Sequence, residues 1–274
     1  MDVREEYRKW NESAYYWNLY RSKIEEVYGP ITDAILESAQ IQESNQVLDI
    51  GGGAGEPSLT IKHRTVAKLF FTDPAPEMVN FTRAEAIRRK QSIYFCACSG
   101  DHLPFANQTF DRIVSRLSIM FVPDTLNAAR EMLRVTKKNA IITMAVWNSQ
   151  KQNPMHFVPT NALKLFIPAD PQDPDAPGAF RFVEPGKLAN IFQQAGANQI
   201  AESVVDFEIT SIESIDEFWK IRSQMSESLR DKIAKLSANK KEEAVAAAKK
   251  AVEPYFINGR MRFPASVRVI TVRV

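Results

Sequence analysis

Glycine is scarce in this chain, ten residues in 274, yet four of the ten fall within five positions: Gly51, Gly52, Gly53 and Gly55. Glycine reaches backbone conformations closed to other residues and lets a backbone approach a neighbour closely, so this clustering marks a turn with unusual demands. The glycines follow Gln46-Val47-Leu48-Asp49-Ile50, an apolar run that reads as a buried strand. A helix over 56–64 is expected after them. The spacing is not that of a dinucleotide fingerprint, G-x-G-x-x-G, because position 56 is Glu where the third glycine would stand. Asp49 before the turn and Glu56 after it disfavour a pyrophosphate and favour a cationic or zwitterionic ligand.

The rest of the chain alternates. Apolar runs at 67–72, 93–97, 110–115 and 139–146 read as strands, and 76–90 and 125–135 read as helices. The second helix carries Leu126, Ala129, Met132 and Leu133 at helical spacing. Strands alternating with helices predict βαβ units and a parallel sheet. Residues 3–40 read as helical and hold five of the seven tyrosines and two of the four tryptophans. Residues 154–185 hold seven of the fifteen prolines and read as an irregular insertion. A helix is expected over 185–196. Two β-rich segments, 201–210 and 267–274, flank a charged helical excursion. That arrangement predicts an antiparallel pair closing one edge of the sheet, with a helical cap over one end. The Lys/Ala-rich stretch 235–251 reads as a solvated helix.

Charge and cysteine content narrow the function classes. Lys+Arg 35 against Asp+Glu 33 is too balanced to advertise a nucleic-acid surface. No apolar run approaches the ~18 residues of a membrane span. The start, MDVREEYRKW, is too charged for a signal peptide. Cys96 and Cys98 can form neither a disulfide framework nor a four-ligand zinc site; they read as buried thiols, and a cytoplasmic protein with no metal is expected.

Two more loops join the glycine turn. Asp73 ends the second strand, about 20 residues after the glycines, where an acidic residue suits the ribose hydroxyls of a nucleoside. Ser99-Gly100-Asp101 follows the third strand and is a polar loop suited to an adenine edge. Loops at the carboxyl ends of parallel strands line one crevice, where open α/β sheets bind ligands. An adenosine with a charged, non-phosphate tail fits.

These residues, in this order, resemble the class I S-adenosylmethionine-dependent methyltransferases, in particular the small-molecule group that includes the quinone C-methyltransferases. The resemblance covers about residues 10–210. Val47 to Gly55 resembles the family's first motif, and Phe70 to Val79, with Asp73-Pro74 and Glu77-Met78, resembles its ribose-binding segment. Leu103-Pro104-Phe105 with Phe110-Asp111, Ser115 to Asp124, and Arg130 to Val135 are similar to later family segments. Trp147, Pro154 and Pro177 to Phe182 resemble a bacterial subgroup. Two departures stand out: Ser99-Gly100-Asp101 replaces an Asp/Asn-Ala-Glu loop, and Lys137-Lys138-Asn139 replaces Pro-Gly-Gly.

The resemblance implies a Rossmann-like α/β fold, a seven-stranded, mostly parallel sheet with helices on both faces, and S-adenosyl-L-methionine as cofactor. Its expected contacts are Asp49, Gly51, Gly53, Asp73, Pro74, Met78, Ser99, Gly100, Asp101 and Ser115. The aromatic N-terminus is read as a lid adding Trp10, Tyr16 and Tyr20, since aromatic faces attract a sulfonium cation. One domain is expected over 1–274, with the lid at 1–40, the cofactor core at 41–150, and acceptor-side insertions at 151–185 and 211–266. The expected reaction is SN2 methyl transfer to a small, largely apolar or aromatic acceptor through N, O or C. His156 is the preferred candidate base over His63 and His102, and Arg116 is a candidate carboxylate anchor. Met120, Phe121, Trp147, Met155 and Phe157 are the expected pocket. The alternative is a catalytically inactive adenosyl-nucleoside-binding partner subunit; a homodimer is left open.

Overall fold

Three helices open the chain: α1 (Val3–Leu19), α2 (Arg21–Val27) and α3 (Gly29–Ala39). The computed structural model describes residues 3–167 and 173–274. The helical stretch expected over 3–40 breaks at Tyr20 and Tyr28, and Pro30 sits in the first turn of α3, where its missing N–H costs nothing. The sheet and its crossovers follow: β1 (Gln46–Ile50), α4 (Ser58–Arg64), β2 (Lys68–Asp73), α5 (Pro76–Arg88), β3 (Ile93–Ala97), β4 (Phe110–Arg116), α6 (Thr125–Val135) and β5 (Thr136–Trp147). Then come α7 (Pro154–Ala162), α8 (Lys187–Gln194) and β6 (Gln199–Ile209). The excursion is α9 (Ile215–Met225), α10 (Glu227–Ala234) and α11 (Ala238–Val252), with a short hairpin of β7 (Phe256–Ile257) and β8 (Arg260–Met261) before β9 (Phe263–Arg273).

The main sheet has seven strands in the order β3-β2-β1-β4-β5-β9-β6. Its first five strands are parallel, and β9 runs antiparallel to both β5 and β6, as the paired late segments predict. Val47 and Leu48 are consecutive in β1 and both fully buried. Consecutive strand residues point to opposite faces, so both faces of the sheet are covered there. Chain order reverses at β1: β2 and β3 lie to one side, β4 and β5 to the other. That switch opens a crevice beyond the carboxyl ends of β1 and β4.

Several local expectations shift. The apolar stripe of α6 is Ala128, Ala129, Met132 and Val135, with Leu126 and Leu133 at its edges. Its first turn is capped by Asp124, which accepts the Asn127 N–H at 2.9 Å. The proline-rich insertion is less irregular than expected, because Pro154 occupies the start of α7 and is tolerated there. Residues 168–172 of that insertion lie outside the described residues. The 235–251 stretch is not solvated all round: Ala244 and Ala248, four apart, are fully buried in a satellite core with Leu163, Trp219, Leu229 and Ile233. Cys96 and Cys98 are half-buried rather than buried, because β3 is an edge strand. Among the described residues no helix is long and apolar enough to cross a membrane.

The sheet core is aromatic under β2 and β4. Phe110 is fully buried, with ring centres 5.2 Å from Phe70 and 5.0 Å from Phe105, edge-to-face. Phe110→Ala should destabilise the fold by about 3–5 kcal/mol, from lost transfer energy plus a cavity the backbone cannot close. Urea denaturation of the two proteins measures it.

Candidate active site

The glycine turn is built by the β1–β2 pair. The amides of Gly51 and Gly52 both donate to the Thr72 carbonyl, at 2.9 and 3.0 Å. The Gly53 amide donates to Asp73 Oδ2 at 3.0 Å, and the Gly55 amide to the Gly52 carbonyl at 2.9 Å. These four donors point into the protein. None of the four is available to a ligand. Two glycines are sterically required. Gly51 has φ +68°, and a Cβ on it would sit 1.8 Å from Ser118 Oγ. A Cβ on Gly52 would lie 2.3 Å from the Phe71 ring. A Cβ on Gly53 would meet nothing within 4 Å, so the turn opens on that side.

Buried carboxylates flank the turn. Asp49 is fully buried; its Oδ2 accepts the Ser58 hydroxyl at 2.6 Å, while Oδ1 has no partner. Burial raises its pKa to about 7; the Ser58 hydrogen bond and the Arg116 charge oppose this, and Glu56 reinforces it. Glu56 is buried as well, with the Thr60 hydroxyl and Arg116 as its polar neighbours, and burial raises that pKa too. Two buried carboxylates thus share one guanidinium, that of Arg116, which leaves the surroundings of the loop acidic. Asp73 accepts the amides of Gly53 and Ala75, the second at 2.9 Å. Burial still raises its pKa, to about 6. Each of its oxygens keeps a further lone pair.

Arg116 is corrected by the structure. Its guanidinium donates to Thr32 Oγ1 at 2.9 Å and the Tyr28 carbonyl at 3.4 Å, and Glu56 and Asp49 are its acidic neighbours. It is the counter-charge of the buried carboxylates, not an acceptor anchor. Ser115 is also structural: its hydroxyl donates to the Ile50 carbonyl at 3.0 Å and is buried between β1 and β4. Gly100 is buried against Ile50. Ser99 and Asp101 hydrogen-bond to each other through their side chains. Pro74 is half-buried beside Asp73.

Helix α1 lies across these loops. Tyr7 Oη and Ser99 Oγ are 2.5 Å apart, and Asn11 accepts the Glu77 amide at 2.9 Å. The Trp10 ring meets Phe121 at 4.9 Å and Trp17 at 6.1 Å. Ala14 packs on Ala75 and Met78, which places Met78 in the seat of the helix. Trp10 and Trp17 share one face, as their seven-residue spacing predicts. Tyr16 and Tyr20 face away from the glycine turn. The Arg230 guanidinium lies over the Tyr16 ring at 4.9 Å, and the Tyr20 hydroxyl donates to Gln224, so the cap claims that face. Arg21, which sequence reasoning missed, is buried and donates to the Ala54 and Phe81 carbonyls at 2.8 and 3.1 Å while pairing with Glu85 at 3.2 Å.

Beside this region lies a cavity of about 100 Å³ between α2, α7 and α9, lined by Trp17, Tyr28, Met155, His156, Phe218 and Arg222 among others. Of the expected pocket residues only Met155 is in its wall. Met120 and Trp147 are buried in the main core, and Phe121 belongs to the Trp10 contact. His156 does reach the cavity, with its ring 4.7 Å from Trp147. Its Nε2 is enclosed without a hydrogen-bond partner, and burial lowers its pKa to about 3, so it is neutral at pH 7 and a weak base. His63 and His102 are exposed. Arg222 is the second residue that the sequence reading missed. Its signal was present: it stands in the apolar stripe Phe218, Ile221, Met225 of α9.

The raised carboxyls set a pH dependence. Asp49 and Asp73 titrate near 7 and 6 in the folded chain, above the ordinary 3.8. Their contribution to stability is therefore complete below about pH 4 and is lost as pH rises through 6 to 7. In denaturant melts from pH 4 to 8, the Asp49→Asn protein should lose the part of the decline that runs up to about pH 7 and ends there.

Residues 48–144 match a family described as a methyltransferase domain. A Mycobacterium tuberculosis protein of uncharacterised function is 30% identical over 131 residues, 48% of this chain and 47% of that one. The ubiquinone/menaquinone biosynthesis C-methyltransferase of Xylella fastidiosa is 30% identical over 104 residues, 36% of this chain and 41% of that one. The chain thus spans about half the length of the curated relatives it matches. Among solved structures, Haemonchus contortus phosphoethanolamine N-methyltransferase 2, with phosphomonomethylethanolamine and S-adenosylhomocysteine, aligns with a TM-score of 0.54 at 14% identity, covering 89% of this chain and 52% of that one. At that identity the likeness is one of fold. The strand order and the match over 48–144 together make this chain, through that segment, similar to methyltransferase domains.

Proposed function

We propose that the protein transfers a methyl group from S-adenosylmethionine to a small, largely apolar or aromatic acceptor seated in the cavity beneath α9. The observation that carries this is the polarity of the glycine turn. The amides of Gly51, Gly52, Gly53 and Gly55 are spent inside the protein, while the buried carboxylates of Asp49 and Glu56 lie beside the turn with one guanidinium between them. Such a site repels a pyrophosphate and suits a ligand carrying an ammonium and a sulfonium. S-adenosylmethionine, when bound, supplies an electrophilic methyl group open to in-line displacement by an N, O or C nucleophile.

The chain's own residues supply position and dryness. The spare lone pairs of Asp73 accept the two ribose hydroxyls. The Ser99–Asp101 pair offers polar atoms to the adenine edge. Trp10 and Phe121 present aromatic faces to the sulfonium. Helix α1 covers the crevice and α9 roofs the cavity, so water is kept from the reacting atoms. A neutral His156 orients an acceptor by hydrogen bonding; it does not remove a tightly held proton. The acceptor's nucleophilic atom is therefore one that is already electron-rich at neutral pH.

Calorimetry on the purified chain should give micromolar binding of S-adenosylmethionine and S-adenosylhomocysteine, and none of NAD. Tighter binding of NAD would overturn the reading. Asp73→Ala removes two charge-assisted hydrogen bonds of roughly 1.5–3 kcal/mol each, so cofactor affinity should fall at least about tenfold. Deleting residues 1–19 leaves the Arg21 clamp intact. The truncated protein should fold, bind S-adenosylmethionine weakly and lose turnover; failure to fold would make α1 part of the core.

A further inference from the structure

We propose that the acceptor is an acid, a small apolar molecule whose oxyanion pairs with the guanidinium of Arg222 inside the cavity; this rests on the methyltransferase reading above. Phe218, Ile221, Arg222 and Met225 stand at spacings of three, four and seven along α9, and all four line the cavity. Helical geometry makes these positions one face. Three of them are apolar, and the fourth carries a permanent positive charge.

Other enclosed arginines of this protein have acidic company. Arg21 pairs with Glu85 at 3.2 Å, Arg268 lies 3.6 Å from Glu202, and Arg116 faces Glu56 and Asp49. Arg222 has no such company. Among the described residues it makes no ion pair, and its Nε is enclosed without a hydrogen-bond partner. Its one polarising neighbour is the phenol of Tyr28, itself in the cavity wall, and burial lowers the Arg222 pKa. Arg222 is half-buried, and a guanidinium drawn partly from water with no acidic partner is costly unless something pairs with it. Its planar fork matches a carboxylate or an ionised enol or phenol better than any neutral group.

The surroundings say what else the molecule must be. Lys23 also lines the cavity, but its ammonium donates to the Ser211 carbonyl at 2.6 Å and has Glu26 and Glu217 at 3.8 Å. Arg222 is therefore the cavity's uncommitted cation. The unpartnered Nε2 of His156 adds a second polar atom for the same ligand. Apart from the Trp17 indole N–H, itself unpartnered, and the Tyr28 phenol, the remaining wall, with Ile24, Met155 and Phe218, is apolar. A cavity of about 100 Å³ far exceeds the roughly 10–15 Å³ that one water needs. It therefore takes an organic body with one acid group. Trp17 belongs to this wall and also packs against Trp10 beside Met78 and Ala75, so the acid's body lies one side chain from the cofactor crevice.

The test compares acids with their uncharged amides on the full chain: benzoate against benzamide, and butyrate against butyramide. Ligand-observed NMR titrations are run at pH 8, with and without S-adenosylhomocysteine. Wild-type protein should prefer each acid at least tenfold. Arg222→Met should abolish the preference, and Arg222→Lys should keep part of it. S-adenosylhomocysteine affinity, measured on the same samples, should not change. Equal binding of acid and amide by wild-type protein overturns the proposal even if neither variant folds. So does a preference that survives in a folded Arg222→Met protein. Absence of S-adenosylhomocysteine binding would instead sink the methyltransferase reading, and the acid–amide comparison on the unloaded chain would still decide the role of Arg222.

Discussion

The carbonyl of Thr72 organises the site. It accepts two consecutive amides, Gly51 and Gly52, and so extends the β1–β2 pairing one step past the end of the strands. The Thr72 hydroxyl binds back to the Asp49 carbonyl at 2.9 Å, locking the same junction from the other side. This closeness is why no side chain fits at Gly52, where Phe71 occupies the space. It also decides the sign of the ligand. With the Gly51 and Gly52 amides turned to Thr72 and the Gly53 amide to Asp73, the loop lies among the buried carboxylates of Asp49, Glu56 and Asp73. In the proposed function this is how a strand-end hydrogen bond favours a cation-bearing nucleoside over a phosphate.

What was legible in the sequence was what local chemistry decides. β1, the glycine turn, Asp73 and the antiparallel closing pair each depend on a few neighbouring residues, and the chain carries them openly. The faces of α1 were half legible. Seven-residue spacing joins Trp10 and Trp17, but only the folded cap, with Gln224 and Arg230, turns Tyr16 and Tyr20 away from the crevice. The two arginines make the same point. Arg116 looked available because nothing local reveals that Glu56 and Asp49 fold beneath it. Arg222 was hidden in a charged, amphipathic segment, although its place within an apolar stripe was a readable anomaly. Alanine also misleads: Ala244 and Ala248 carry little hydrophobic signal, yet they let α11 approach α7 closely. Proline density misled in the opposite direction, since Pro154 begins a helix instead of preventing one.

Buried charge is distributed unevenly, and the unevenness tracks the proposed chemistry. Away from the site, charges are matched: Arg89 bridges Glu25 and Glu85, and Lys137 holds Asp111. Around the crevice, two buried carboxylates share the one guanidinium of Arg116; in the adjoining cavity, a guanidinium is left over. Each surplus destabilises the empty protein. Each is offset when a ligand of opposite sign arrives, so ligands should contribute to folding stability by mass action.

Trp17 is a party wall. One side of it belongs to the cluster that seats α1 on Ala75 and Met78, and the other lines the cavity with Arg222. The Arg21 clamp to Ala54, Phe81 and Glu85 fixes the chain just beyond it, with the helix break at Tyr20 as the pivot. A swing of α1 about that pivot cannot unroof one chamber and leave the other shut. In the proposed function the two tenants share a single door, so spent cofactor and methylated product are released within the same opening rather than by separate exits.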